Sequence, residues 1–192
     1  MPLSAETALL SLIDEHLSAG RPLTLAIDGC CAAGKTTLAL RLQQRYGCPV
    51  FHADDYFLQP HQRTPQRLSQ AGGNMDRERL LQEVLLPLSR GEDVVFRRFD
   101  CSAMALRPPV RVPYVPFQIV EGTYCMHPEL APYYTASVFL RISPAEQRRR
   151  IERRCPPEKA QQFSTRLIPL EQLYFQQLHP EKNCTLILEA LS

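Results

Sequence analysis

The sequence predicts a single α/β domain: a mostly parallel sheet covered by helices on both faces, three layers in all. Two observations carry this. Short apolar runs of buried-strand type alternate along the chain with segments of helical periodicity. In addition, Gly29-Cys30-Cys31-Ala32-Ala33-Gly34-Lys35-Thr36 fits the pattern G-x-x-x-x-G-K-[ST], with a strand before it and a helix after it. With 192 residues, 44% of them hydrophobic, the chain is long enough for one substantial core and too short for two. Residues 1–192 are therefore read as one domain.

In chain order, the first element is an amphipathic helix between Leu3 and Ala19. It carries Leu9, Leu10, Leu12, Ile13 and Leu17, with Ser4 as a candidate N-cap and Gly20 as a stop. Leu23 to Ile27 is the first strand, and Leu38, Leu42 and Tyr46 mark the helix after the glycine loop, closed by Gly47. Pro49 to Ala53 is a short strand that ends on Asp54-Asp55-Tyr56-Phe57. Gln59 to Asn74 is polar, with two prolines and Gly72-Gly73, and reads as a long loop.

Helical spacing returns from Asp76 to Leu88, and Asp93 to Phe99 reads as a strand. For proline-rich Arg107 to Pro116, a hairpin and an extended excursion both remain open. Phe117 to Val120 is a strand ending on Glu121-Gly122, and Ser137 to Ile142 is another. Pro144 opens a basic helix reaching Arg154, Leu167 to Leu178 is a helix, and Thr185 to Leu188 is the last strand. There is no internal repeat.

Composition narrows the function. A net charge of +2 and a pI near 8.2 lack the strong basic stripe of a nucleic-acid binder. No apolar stretch approaches the length of a membrane span, and the N-terminus lacks the pattern of a secretory signal, so a cytoplasmic protein is expected. The seven cysteines, at 30, 31, 48, 101, 125, 155 and 184, are odd in number and show no zinc-ligand spacing, as expected for reduced thiols. The expected partner is a small-molecule substrate, and a homo-oligomer is left open.

The loop and its flanks point to phosphate chemistry. Backbone N–H groups from Gly29 through Thr37 would cradle phosphates, Lys35 would reach the β and γ groups, and the Thr36 hydroxyl would hold Mg²⁺, so ATP and Mg²⁺ are the expected cofactors. Ligands of open α/β sheets bind beyond the carboxyl ends of the strands, where Asp28, Asp54-Asp55 and Glu121 fall. Glu121 is a candidate Mg²⁺ ligand or a satisfied strand-end carboxylate. Asp54 is a candidate acceptor base or a turn cap, and Asp55 is structural or on the metal. Arg150, Arg153 and Arg154 share one helix face, either as a phosphate-contacting lid or as a solvated face. Tyr56, Phe57 and Phe99 are candidates to stack on a substrate ring, with core packing as the alternative. The histidines read as ordinary strand or surface residues.

Together these residues resemble the uridine kinase-like branch of the P-loop kinases, which includes phosphoribulokinase, nicotinamide riboside kinase and bacterial pantothenate kinase. The resemblance runs through Ile27-Asp28-Gly29, Gly34-Lys35-Thr36-Thr37, His52-Ala53-Asp54-Asp55-Tyr56-Phe57, Gly72-Gly73-Asn74-Met75-Asp76, Val120-Glu121-Gly122-Thr123-Tyr124 and the arginine-rich helix. It implies a P-loop NTPase fold and ATP-dependent transfer of a phosphoryl group to the 5′-hydroxyl of uridine or cytidine. It also implies Asp54 as acceptor base, Asp76 on the ribose hydroxyls, Glu121 at the metal, and Arg150, Arg153 and Arg154 on phosphates. The His-Pro-Asp segment of uridine kinases is replaced here by Gly72 to Arg77, and no pyrimidine-contacting histidine stands near Arg97 to Asp100. Met126-His127-Pro128-Glu129 resembles a stretch of bacterial uridine kinase-like proteins. The alternatives are another small alcohol (nicotinamide riboside, pantothenate or a sugar phosphate) and a nucleotide-hydrolysing switch. A guanine-specific switch would want an Asn-Lys-x-Asp stretch and a transporter-type ATPase a Leu-Ser-Gly-Gly signature, and neither is present.

Overall fold

The first strand, β1 (Leu23–Gly29), is buried along its whole length and lies at the centre of a five-stranded sheet. The structure is a computed structural model that describes residues 5–190; the expected N-cap at Ser4 lies outside them. The sheet order is β2 (Val50–His52), β7 (Phe117–Glu121), β1, β8 (Ala136–Arg141) and β9 (Leu186–Glu189), with every pairing parallel. Leu23, Leu25 and Ile27 pack with Leu9 and Ile13 of helix α1 (Ala5–Ser18) and with Leu38 and Leu42 of α2 (Lys35–Tyr46). The alternate residue Ala26 packs on the other face with Val84, Leu85 and Tyr174. The expected three-layer arrangement of helices about a mostly parallel sheet is what the chain forms.

Two helix ends follow their sequence signals. Gly47, at φ 68°, turns α2 off and returns its N–H to the Gln43 carbonyl at 2.8 Å. Helix α6 (Pro144–Arg154) starts at Ser143, whose hydroxyl accepts the Glu146 N–H, and it places Arg153 and Arg154 in the last turn, where cations suit the helix dipole.

Two helices carry a wide π turn, each just before a proline. Between α4 (Arg77–Leu80) and α5 (Leu86–Ser89), residues Leu81–Leu85 form a π segment, with the Leu86 N–H on the Leu81 carbonyl. Pro87 has no N–H to give the Glu83 carbonyl and its ring crowds that oxygen, so the turn opens. Phe163–Leu167 repeats the device between α7 (Pro157–Gln162) and α8 (Ile168–Leu178), where the proline is Pro169.

Two stretches depart from the sequence expectation, and a third, left open, is resolved. The long loop 59–74 contains a 3-10 turn, Pro60–Gln62, and a short helix, α3 (Pro65–Leu68), capped by the Thr64 hydroxyl. The strand expected from Asp93 to Phe99 divides into β3 (Val94–Phe96) and β4 (Phe99–Asp100). Between them the Arg97 N–H is taken by the Glu83 carboxylate at 3.0 Å and Arg98 turns to Asp55. Neither piece joins the central sheet. Strand β4 pairs with β5 (Ala105–Leu106), and β3 pairs antiparallel with β6 (Val110–Val112), which settles the proline-rich excursion as a returning strand.

Candidate active site

The carboxyl ends of β1, β2 and β7 open onto a cavity of about 940 Å³. Its wall includes Cys31 to Leu38, Asp54, Phe57, Asn74, Glu121 to Tyr124, and Arg149, Arg150, Arg153 and Arg154. The glycine loop bends through Ala32 (φ 60°) and Gly34 (φ 99°) into α2. No side chain caps that helix, and among the described residues the N–H groups of Lys35, Thr36 and Thr37 have no protein partner. Uncapped donors at a helix N-terminus, with a lysine beside them, are the donor set a polyphosphate needs. Lys35 itself is nearly buried, and its ammonium donates to the Gly29 carbonyl at 2.9 Å, the Cys30 carbonyl at 2.9 Å and the Thr123 hydroxyl at 3.0 Å.

Carboxylates gather opposite the loop. The Thr36 hydroxyl donates to Glu121 Oε1 at 3.0 Å, and His52 Nδ1 lies 2.6 Å from the same oxygen. That hydrogen bond pushes the His52 imidazole above its usual range. A hydroxyl and a carboxylate facing the phosphates suit Mg²⁺, which keeps most of its waters and takes one or two protein ligands. No cluster of three or more His, Cys, Asp or Glu fit to hold a metal occurs among the described residues. Asp54 lies on the 3-10 turn Ala53–Tyr56, at the cavity wall. Burial raises its carboxyl above the ordinary range, opposed by the Lys35 charge.

The lid arginines reach the site from α6. Arg150, Arg153 and Arg154 all line the cavity; Arg150 also donates to the Ala32 carbonyl at 3.3 Å, and Arg154 lies over the Phe163 ring. Four expected site residues stand elsewhere. Asp55 does not line the cavity, and its carboxylate faces Arg98 at 3.4 Å. Tyr56 is fully buried against Phe96, and Phe99 is buried as well, beneath Arg63. Asp76 is almost entirely buried and caps α4, accepting from the Arg79 N–H at 3.2 Å and from Arg79 Nε at 3.3 Å. Its neighbour Asn74 is the residue of that segment on the cavity wall.

From behind, the Asp76–Arg79 pair supports the turn that carries Asp54. Arg79 lies over the Tyr56 ring at 4.3 Å and donates to the Asp55 carbonyl at 2.9 Å. Arg79 keeps Glu83 as a second carboxylate partner at 3.3 Å, so Asp76→Ala removes the α4 cap and one of two ion pairs and is expected to cost about 1–2 kcal/mol of stability. Urea denaturation checks this, and an unchanged midpoint would show that the pair holds nothing in place.

No family model and no curated protein matches the chain. Solved structures do. A possible uridine kinase from Bacillus stearothermophilus aligns with a TM-score of 0.68 at 21% identity, covering 93% of this chain and 96% of that one. A candidate fructose transport system kinase from Silicibacter sp. TM1040 aligns with a TM-score of 0.71, also at 21% identity, covering 91% and 95%. The chain has the fold of the uridine kinase-like P-loop kinases.

Within this P-loop fold, Asp28 and Gly29, which the sequence places at the strand end and in the loop motif, hold the site together with Tyr174, Glu171 and Gln147, which no local sequence signal marks. Asp28, fully buried at the end of β1, accepts from the N–H groups of Gly29 (2.6 Å), Tyr124 (3.2 Å) and Met126 (2.9 Å) and from the Tyr174 hydroxyl (2.8 Å). It thereby ties the segment after β7 to the start of the P-loop and holds Tyr124 at φ 79°, a conformation a bulky residue adopts only under constraint. Gly29 cannot be larger, because a Cβ there would meet the Leu140 carbonyl oxygen at 2.2 Å.

From α8, Glu171 reaches the P-loop, and both carboxylate oxygens accept from the Cys31 N–H, at 3.0 and 3.1 Å. The Gln147 amide of α6 bridges the Cys31 carbonyl (3.2 Å) and Glu171 Oε2 (3.3 Å). Burial holds the two P-loop thiols protonated, Cys30 at about 11 and Cys31 at about 12, so neither is a nucleophile at neutral pH.

Proposed function

We propose that the protein is an ATP- and Mg²⁺-dependent small-molecule kinase, moving the γ-phosphoryl group to a hydroxyl, most simply the 5′-hydroxyl of uridine or cytidine. The observation that carries this reading is that Asp54 shares one cavity with the P-loop, Glu121 and the lid arginines. Phosphoryl transfer asks a protein for position and charge compensation more than for covalent chemistry. Lys35 and the first N–H groups of α2 hold the phosphates. Thr36 and Glu121 would hold Mg²⁺, which would supply charge neutralisation at the phosphates. Arg150, Arg153 and Arg154 face the charge that develops on the transferring group.

Asp54 receives the acceptor's proton. Its raised affinity for protons makes it a stronger base than an exposed carboxylate, and it remains close to a cation. On the acceptor side, Phe57, Asn74 and Tyr124 offer aromatic surface and an amide. Asp55, Tyr56, Asp76 and Phe99 act from behind this wall, fixing the turn that carries Asp54.

The test is a panel of acceptors with Mg-ATP, read by ADP release. Uridine and cytidine are expected to raise release well above the no-acceptor background, with phosphate on the 5′ oxygen. If both are silent while pantothenate or another non-ribosyl alcohol responds, the kinase stands and the nucleoside does not. A panel with no acceptor-dependent release contradicts the kinase itself.

A further inference from the structure

The P-loop holds a carboxyl group from a distant helix. Glu171 is almost completely buried, lines the same cavity as the loop, and gives both carboxylate oxygens to one backbone N–H, that of Cys31. Its Oε1 also lies 3.5 Å from the Thr123 hydroxyl, which accepts from the Lys35 ammonium. That hydroxyl gives its proton to the Gly29 carbonyl at 2.9 Å, so the carboxyl group and the ammonium stand on either side of it and interact through charge, the Lys35 cation favouring an ionised Glu171. The placement is fixed by the fold. Tyr174, one turn further along α8 on the same face, is anchored to Asp28, so the helix presents Glu171 to the loop from a held position.

We propose that Glu171 is a specificity-determining residue of the donor site: its carboxylate is the resident anion of the P-loop, and the terminal phosphate of a nucleoside triphosphate binds by displacing it from the Cys31 N–H. This rests on the donor-site reading above. The donors at the start of α2 are free for the inner phosphates, whereas the Cys31 N–H and the Lys35 ammonium at the loop's other end are already engaged. A phosphate and a carboxylate cannot share one N–H in a dry site without strong repulsion. A diphosphate that fills only the α2 end leaves Glu171 in place. A triphosphate must move it, and with it the Gln147 bridge that ties lid helix α6 to the loop.

Glu171→Gln keeps the shape and a hydrogen-bond acceptor but removes the charge. Calorimetric titration with Mg-ADP and with the Mg complex of the non-hydrolysable triphosphate AMP-PNP is the experiment, with thermal midpoints confirming that each variant is folded. Glu171→Gln is expected to bind AMP-PNP at least tenfold tighter than the unsubstituted protein, about 1.4 kcal/mol, and ADP less than threefold tighter. Glu171→Asp, which keeps the charge, is expected to show no comparable gain and provides the second variant. Unchanged or weaker AMP-PNP binding by Glu171→Gln overturns the proposal. An equal gain for ADP overturns the assignment to the terminal phosphate. If the unsubstituted protein binds neither nucleotide, the donor-site reading falls first and this inference with it.

Discussion

Lys35→Ala is expected to lower phosphoryl transfer by roughly a thousandfold while the fold survives, in line with the loss of a preorganised charge at a developing anion. The ammonium is positioned for this before any nucleotide arrives, held by two P-loop carbonyls and the Thr123 hydroxyl. Removing it does not unravel those partners, because Thr123 keeps its own hydrogen bond to the Gly29 carbonyl at 2.9 Å. Steady-state ADP release gives the rate, and circular dichroism with a thermal melt shows whether the variant is folded. A folded variant that turns over at the rate of the unsubstituted protein would remove the P-loop from the mechanism.

The second large effect separates adjacent carboxylates. Asp54→Asn is expected to reduce transfer by about a hundredfold to ten-thousandfold, the range of a general base, and to leave Mg-ATP affinity near normal. Asp55→Asn is expected to be much milder, since Asp55 faces Arg98 and not the cavity. The contrast is informative because both residues sit on one short turn, and burial raises both carboxyls. Single-turnover rates with saturating Mg-ATP make the comparison. A larger loss in Asp55→Asn would exchange the two roles.

Much of this was legible because its signals are local. A glycine pair at fixed spacing before Lys35-Thr36, set between an apolar run and a helical repeat, specifies strand, loop and helix within about twenty-five residues. The strand-end positions of Asp54 and Glu121 could be read the same way. Contacts that close the site over distance in sequence could not. Glu171 lies 140 residues from Cys31, and in sequence it is simply an acidic residue in the first turn of a helix.

The aromatic and acidic residues after β2 show a second limit. Tyr56 and Asp76 are of types that suit a substrate, yet Arg79 takes both of them into the support of the turn, and Asn74 reaches the wall. Residue type did not tell which of two neighbours would point inward. The division of the expected 93–99 strand likewise depends on partners, Glu83 and Asp55, that sequence does not place. The π turns did carry a signal: Pro87 and Pro169, each inside a helical repeat, mark where the hydrogen-bond ladder has to open.

On the proposed reading, one cavity hands a phosphoryl group from a nucleotide to an alcohol. Following labelled γ-phosphate from ATP tests it most directly, with the acceptor that responds in the panel, in the unsubstituted protein and in Asp54→Asn. Label is expected on the acceptor oxygen in the first and almost none in the second, with little inorganic phosphate in either. Label released only as inorganic phosphate, at one rate with or without the acceptor, would contradict that reading.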